Sequence, residues 1–160
     1  MTFIVDGTNG LTFNNSTTQA SAGVVLQVVN ATYGTSISSS VATYADTGLT
    51  ATITPKFSTS KILVLISQSL AKSSGATTNA VNIQLLRGAT NLGLLIYAYG
   101  YTGTALYVYG QASNVYLDSP ASTSALTYKT QFANNTAGSL VVVQPDSLGV
   151  STITLMEIAG

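Results

Sequence analysis

The chain has 160 residues, of which only five are Lys or Arg and five Asp or Glu; there is no His and no Cys, and the formal net charge is zero. Charged residues make up 6% of the chain, against about 25% in an ordinary soluble protein. That composition excludes disulfides and thiolate metal sites, removes the usual general base and nucleophile of enzymes, and leaves no basic footprint for nucleic acid. Hydroxyls stand in for charge, with 24 Thr and 19 Ser, and β-branched Thr also suits pleated strands. A neutral hydroxyl surface repels other copies weakly, which favours a permanent oligomer or a place in a larger assembly.

Residues 1–22 (MTFIVDGTNGLTFNNSTTQASA) hold two short apolar pairs, Phe3/Val5 and Leu11/Phe13, between Asp6-Gly7 and Asn9-Gly10 turn signals. The segment lacks the basic start and apolar run of a signal peptide, and no apolar run in the chain is long enough to span a bilayer. It reads as an extended arm in which Phe3, Val5, Leu11 and Phe13 anchor the protein to a neighbouring subunit or host structure. A disordered tail is the bland alternative.

From Gly23 onward the elements read as strands. Val24–Val29 is nearly all apolar, the SISSS stretch after it reads as a polar loop, and Val41–Tyr44 as the next strand, with a turn at Asp46-Thr47-Gly48. Leu49, Ala51 and Ile53 alternate with Thr50, Thr52 and Thr54 until Pro55 stops the pattern, which predicts a half-buried strand with a threonine outer face. Lys61–Leu70 opens as a solid apolar run; its β-branched content and the Ser73–Asn79 loop favour a central strand over a helix. Val81, Ile83 and Leu85 alternate with Asn82 and Gln84, and Arg87–Asn91 turns the chain into Leu92–Tyr97, the clearest hairpin. Val115–Phe132 reads as a strand, a turn at Asp118-Ser119-Pro120, and a strand with Leu126, Tyr128 and Phe132 on its inner face. Leu140–Val143, a turn at Gln144–Gly149, and a last strand Ser151–Ile158 complete the chain.

No helical period is present. Eight to ten short strands at about 8–12-residue spacing predict an all-β, antiparallel β-sandwich of jelly-roll type over residues 23–160, behind the arm 1–22. An Ig-like sandwich ranks second.

The search for chemistry yields little. Asp6, Asp46, Asp118 and Asp146 each lie close to Gly, Pro or Ser, where turn bonding explains them, and Glu157 stands alone on the last strand. A glycosidase needs two facing carboxylates and a calcium site needs clustered ones, so the expectation is a non-enzyme with no cofactor and no metal. Tyr97, Tyr99 and Tyr101 are two apart, as are Tyr107 and Tyr109, so within extended chain each set shares a face. These five rings read as a subunit interface or exposed tip, with glycan stacking as the sharper alternative.

The run YLDSPASTSALTYKTQF, the Asn-rich turn after it and the ending TITLMEIAG resemble a β-domain of virion proteins of tailed bacteriophages, notably marine and cyanobacterial ones. The opening IVDGTNGLTFNNSTTQASAG is similar to the segment that precedes such domains in phage fibre proteins. The resemblance is strongest over residues 1–23 and 115–160 and carries no functional residue across. It implies a homotrimeric jelly roll exposed on the virion after assembly in the host cytoplasm, partnered by the major capsid protein or a tail or collar protein, without nucleic acid or membrane. The short arm favours a capsid decoration (cement) protein or a short head or collar fibre. A tail-fibre module that recognises host surface glycans is the alternative.

Overall fold

A strand shows its orientation through a two-residue alternation of buried and exposed side chains. Ser151–Ile158 follows that rule at every position. The computed structural model describes residues 23–147 and 149–160, together with the short strands β1 (Ile4–Asp6), β2 (Gly10–Thr12) and β3 (Thr18–Gln19). Among the described residues these three pair only with one another, antiparallel, with Val5 opposite Leu11. Of the expected anchoring residues, Phe3 and Phe13 lie outside the described residues.

The domain that follows contains β4 (Val25–Tyr33), β5 (Ile37–Ser39), β6 (Ala45–Ile53), β7 (Lys61–Lys72), β8 (Val81–Arg87), β9 (Thr90–Tyr99), β10 (Val108–Asp118), β11 (Leu126–Asn134), β12 (Val141–Val143) and β13 (Ser151–Ile158). Among the described residues the one helical element is a 3-10 turn, Pro145–Ser147.

Setting aside the short β5 and β12, eight strands pair in a nested order. β4 pairs with β13, β6 with β11, β7 with β10 and β8 with β9, all antiparallel. First joins last, second joins seventh, and so inward to the β8–β9 hairpin. This is a long hairpin rolled into two sheets, the jelly roll that the strand spacing predicts. One sheet runs β4-β13-β7-β10, with β12 and β5 extending its upper half; the other runs β6-β11-β8-β9.

Two expectations need correcting. The SISSS stretch contributes β5, whereas Val41–Tyr44 lies outside the strands and is largely exposed. Three-residue pairing with β12 is enough to order Ile37–Ser39 despite its serines. Asp46-Thr47-Gly48 is part of β6 and not a turn. Gly48 (φ 81°) bends that strand, and a Cβ there would meet the Tyr33 ring at 2.3 Å. The strands around Asp118-Ser119-Pro120 do not pair with each other, because β10 and β11 belong to opposite sheets.

Two apolar layers fill the space between the sheets. Leu49, Ile53, Ile62, Val64, Tyr128, Ile153 and Leu155 form the lower one. Leu70, Val81, Ile83, Phe132, Val141 and Val143 form the upper one. Tyr128 and Phe132 are inward as expected, and so is Thr130 between them, all fully buried.

Thr130 belongs to a buried polar seam that separates the layers. Thr47 and Thr130 hydroxyls lie 2.6 Å apart, Thr130 donates to Gln68 Oε1 (3.1 Å), and Gln68 Nε2 donates to Ser151 Oγ (2.8 Å). With its amide nitrogen toward the Val143 and Thr35 carbonyls, Gln144 accepts from Gln68 Nε2 (2.6 Å) and Ser151 Oγ (2.8 Å). The seam sits where β7 changes partners, since β13 pairs with it as far as Ser67 and β12 from Leu70 onward. Ser69 would lose its ladder bonds there; its N–H donates to Ser151 Oγ (2.9 Å) and its carbonyl accepts from Gln144 N (3.0 Å).

Glu157 closes the lower end. Its carboxylate accepts from Gln27 Nε2 (2.6 Å) and from the backbone N–H groups of Lys56 (2.7 Å) and Phe57 (3.4 Å). Burial alone would raise its pKa, but these hydrogen bonds outweigh that and hold it below the ordinary value of 4.5.

Two stability predictions follow from these buried groups. Ser151→Ala leaves Gln68, Gln144 and the Ser69 N–H without a shared partner, so urea unfolding should show a loss of about 1–3 kcal/mol. A carboxyl whose pKa is lower folded than unfolded contributes stability that is complete above the unfolded value and lost as pH falls through the folded one. Urea midpoints followed from pH 6 down to pH 3 should therefore fall less steeply in Glu157→Gln than in the parent, from a lower starting point.

Candidate interaction surface

The sequence offers no reactive centre, and among the described residues no three His, Cys, Asp or Glu side chains gather as a metal site. What the fold builds instead is two outer faces of opposite chemistry.

On the β6-β11-β8-β9 sheet, a polar row crosses all four strands. Lys129 Nζ donates to Asp46 Oδ2 (2.9 Å), Gln131 Nε2 to Asp46 Oδ1 (2.7 Å), Gln84 Nε2 to Gln131 Oε1 (2.8 Å) and Asn91 Nδ2 to Gln84 Oε1 (2.8 Å). The Lys129 hydrogen bond is the leading reason that the Asp46 carboxyl lies below its usual range. Asp46 is thus explained by cross-strand pairing and not by a turn.

On the β4-β13-β7-β10 sheet, the equivalent row is apolar. Leu117 of β10 lies opposite Leu63 of β7, Leu63 opposite Met156 of β13, and Met156 opposite Val28 of β4. Val115 and Leu65 continue the patch on the neighbouring rung, beside a shallow depression of about 210 Å3. Leu117 is 51% exposed, Val28 54% and Val115 57%. Period-two alternation makes this unavoidable: β7 reads Lys61-Ile-Leu-Val-Leu-Ile66, so burying Ile62, Val64 and Ile66 turns Leu63 and Leu65 outward. Lys61, at the margin, is the one charged side chain that these four strands place on this face.

The five tyrosines do not form one cluster. Ala98 (φ 52°) and Gly100 (φ 80°) break the alternation that would align Tyr97, Tyr99 and Tyr101. Tyr97 and Tyr101 are exposed, whereas Tyr99 packs on the upper apolar layer and burial raises its pKa. Tyr107 and Tyr109 do share a face, with ring centroids 6.1 Å apart and planes 18° from parallel. They line a groove of about 290 Å3 at the upper end of the six-stranded sheet, with Ser36 and Ser38 of the β5 segment and Asp146 of the 3-10 turn. Lys72 also borders it, but its Nζ donates inward to Thr102 Oγ1 (2.9 Å) and the Thr104 carbonyl (3.1 Å), pinning the loop between β9 and β10. Sequence reading found the two tyrosines and missed their neighbours, which lie about 35–70 residues away in the chain and meet only through strand pairing.

Asp118, whose position suggested turn bonding, has a different role. Arg87 NH1 (2.5 Å) and Tyr128 OH (2.6 Å) both donate to its Oδ2, joining the end of β10 to β8 and β11 in the other sheet. Burial, then the Asp118 carboxylate beside it, pushes the Tyr128 phenol far up, so it stays a proton donor to Asp118. All three groups are satisfied by one another, which is a structural clasp and not a poised acid or base.

No protein-family model matches the sequence, and no curated protein matches it. Among solved structures, the chain is similar to the VP2 subviral particle of infectious bursal disease virus, at 13% identity and a TM-score of 0.48, covering 85% of this chain and 38% of that one. It is also similar to the structure of the Gt strain of that virus, at 13% identity and a TM-score of 0.44, covering 90% of this chain and 40% of that one. The chain thus spans about two fifths of the length of those proteins.

If the clasp is structural, Asp118→Asn should lower stability by about 1–3 kcal/mol, the cost of weakening a buried hydrogen-bonded charge, measured by chemical unfolding. It should leave the β4-β13-β7-β10 face and its associations unchanged, measured by solution mass.

Proposed function

We propose that the chain is a non-enzymatic structural protein of a virion, a homotrimeric capsid decoration protein or short head or collar fibre of tailed-phage type. Its domain associates with copies of itself through the outer face of the β4-β13-β7-β10 sheet. The observation that carries this reading is the apolar row Leu117–Leu63–Met156–Val28, which runs unbroken across four strands while the opposite face is tied into a polar row. An exposed contiguous apolar patch of this kind marks an interaction site. A second copy is the occupant favoured by charge: a face with a single lysine at its margin meets no repulsion from itself, and the chain carries only ten charged residues to keep copies apart.

The virion assignment rests on the resemblance of residues 1–23 and 115–160 to phage virion β-domains. In this reading the arm, through Phe3, Val5, Leu11 and Phe13, attaches the trimer to a capsid, tail or collar protein. Holding neighbouring subunits in their assembled state stabilises that state by mass action, so binding and not catalysis is the function.

Light scattering after size exclusion tests the oligomer. The parent protein should run at three times its 16.4 kDa chain mass, and Leu117→Lys should shift it to monomer while its circular dichroism stays that of a β-protein. A parent monomer, or a trimer indifferent to both Leu117→Lys and Val28→Lys, would contradict the reading.

A further inference from the structure

The groove at the upper end of the six-stranded sheet has features that self-association through the apolar row does not use. Tyr107 and Tyr109 stand side by side on one wall with near-parallel rings and more than half of each side chain exposed. Across from them are the hydroxyls of Ser36 and Ser38 and the carboxylate of Asp146. Ser36, Ser38 and Asp146 are all exposed. Asp146 is held in the left-handed region (φ 57°, ψ 15°), two residues after Gln144 in the same region (φ 50°), with Pro145 between them. Two such residues in one short turn fix where the carboxylate stands, at a conformational cost the surrounding packing must offset. Ala71 of β7 and Val142 of β12 give the floor its apolar part.

We propose that this groove binds a neutral pyranose sugar. A pyranose ring has an apolar C–H face and an equatorial rim of hydroxyls. The first matches the flat face of a tyrosine ring and the second a set of hydroxyl and carboxylate acceptors. The volume of about 290 Å3 sits at the lower limit of small-molecule sites, roughly 300–1,000 Å3, and suits a short saccharide. Charge selects the neutral class. Asp146 brings a negative charge to the groove, and Lys72, the one cation that borders it, is turned inward onto Thr102 and Thr104. An acidic or sulfated sugar would meet repulsion with no compensating cation.

The site lies on the same outer sheet face as the apolar row, at its opposite end. Tyr109 and Leu117 project from the same side of β10 but are eight residues apart, about 26 Å at the rise of an extended strand. The inference therefore stands or falls independently of the oligomer.

Saturation-transfer NMR tests it, with methyl glycosides of glucose, galactose, mannose and N-acetylglucosamine as probes and N-acetylneuraminic acid and galactose 6-sulfate as acidic comparisons. At least one neutral glycoside should receive saturation, strongest at its ring C–H protons, and the acidic sugars should receive none. Tyr109→Ala should weaken the affinity roughly tenfold, the upper end of what one aromatic contact contributes. Ser38→Phe, which fills the groove from β5 without touching the tyrosines, should abolish transfer, and Leu117→Lys should leave it intact. Both groove positions are exposed, so unchanged thermal unfolding will show that the fold survives. Absence of transfer from every neutral glycoside, transfer confined to the acidic sugars, or transfer that persists in the Tyr107→Ala/Tyr109→Ala double variant would overturn the proposal.

Discussion

β7 has to serve more partners than one straight strand can. Along one edge it holds β10 for its whole length, and along the other it holds β13 and then β12. The handover falls at Gln68 and Ser69, where that second edge has no ladder partner and the Ser69 backbone groups would be buried without hydrogen bonds, a cost of about 1–3 kcal/mol each. Ser151 and Gln144 supply the missing partners, and Gln68 carries the connection through Thr130 and Thr47 to the other sheet. Because every member is satisfied, the seam fixes the sheets in register instead of weakening the core. The two apolar layers above and below can then pack against a fixed partition.

The same strand sets the surface chemistry. Its run of five apolar residues from Ile62 to Ile66 buries one side of the alternation and turns the other outward. A parallel sheet would cover both sides with helices; an antiparallel sandwich leaves the second side bare. Ordinary domains solve this with lysine and glutamate on the outer face. Here the four strands place Lys61 alone there, so the bare side is left for another surface. The opposite sheet shows that the chain can build a hydrated face when one is wanted, with Thr50 and Thr52 outward and the Lys129–Asp46–Gln131–Gln84–Asn91 row across it.

Much of this was legible in the sequence because the signals were local. Alternation identified the inner faces around Leu49–Ile53 and Tyr128–Phe132, and turn chemistry at Gly88 marked the β8–β9 hairpin. Strand count and spacing pointed to a jelly roll. What was not legible depended on pairing between distant segments. β5 is polar and three residues long, so only its β12 partner reveals it. Asp46 and Asp118 look like turn residues until cross-strand neighbours Lys129, Arg87 and Tyr128 arrive. Tyr97, Tyr99 and Tyr101 were read as sharing one face, and the positive φ values at Ala98 and Gly100 break that alternation. The apolar row itself was hidden for the same reason, since Leu117, Leu63, Met156 and Val28 become neighbours only once four strands are in register.

The central claim is that this row is covered in the native assembly, and hydroxyl-radical footprinting read by mass spectrometry tests it most directly. Side-chain oxidation reports solvent access residue by residue, with exposed Leu94 and Tyr97 of β9 as internal standards. In concentrated native protein, Met156, Leu63 and Leu117 should be protected relative to those standards, and the protection should fade as the protein is diluted below the dissociation constant of the assembly. Oxidation of the row at the rate expected for its exposure in a single chain, at every concentration, would contradict the account.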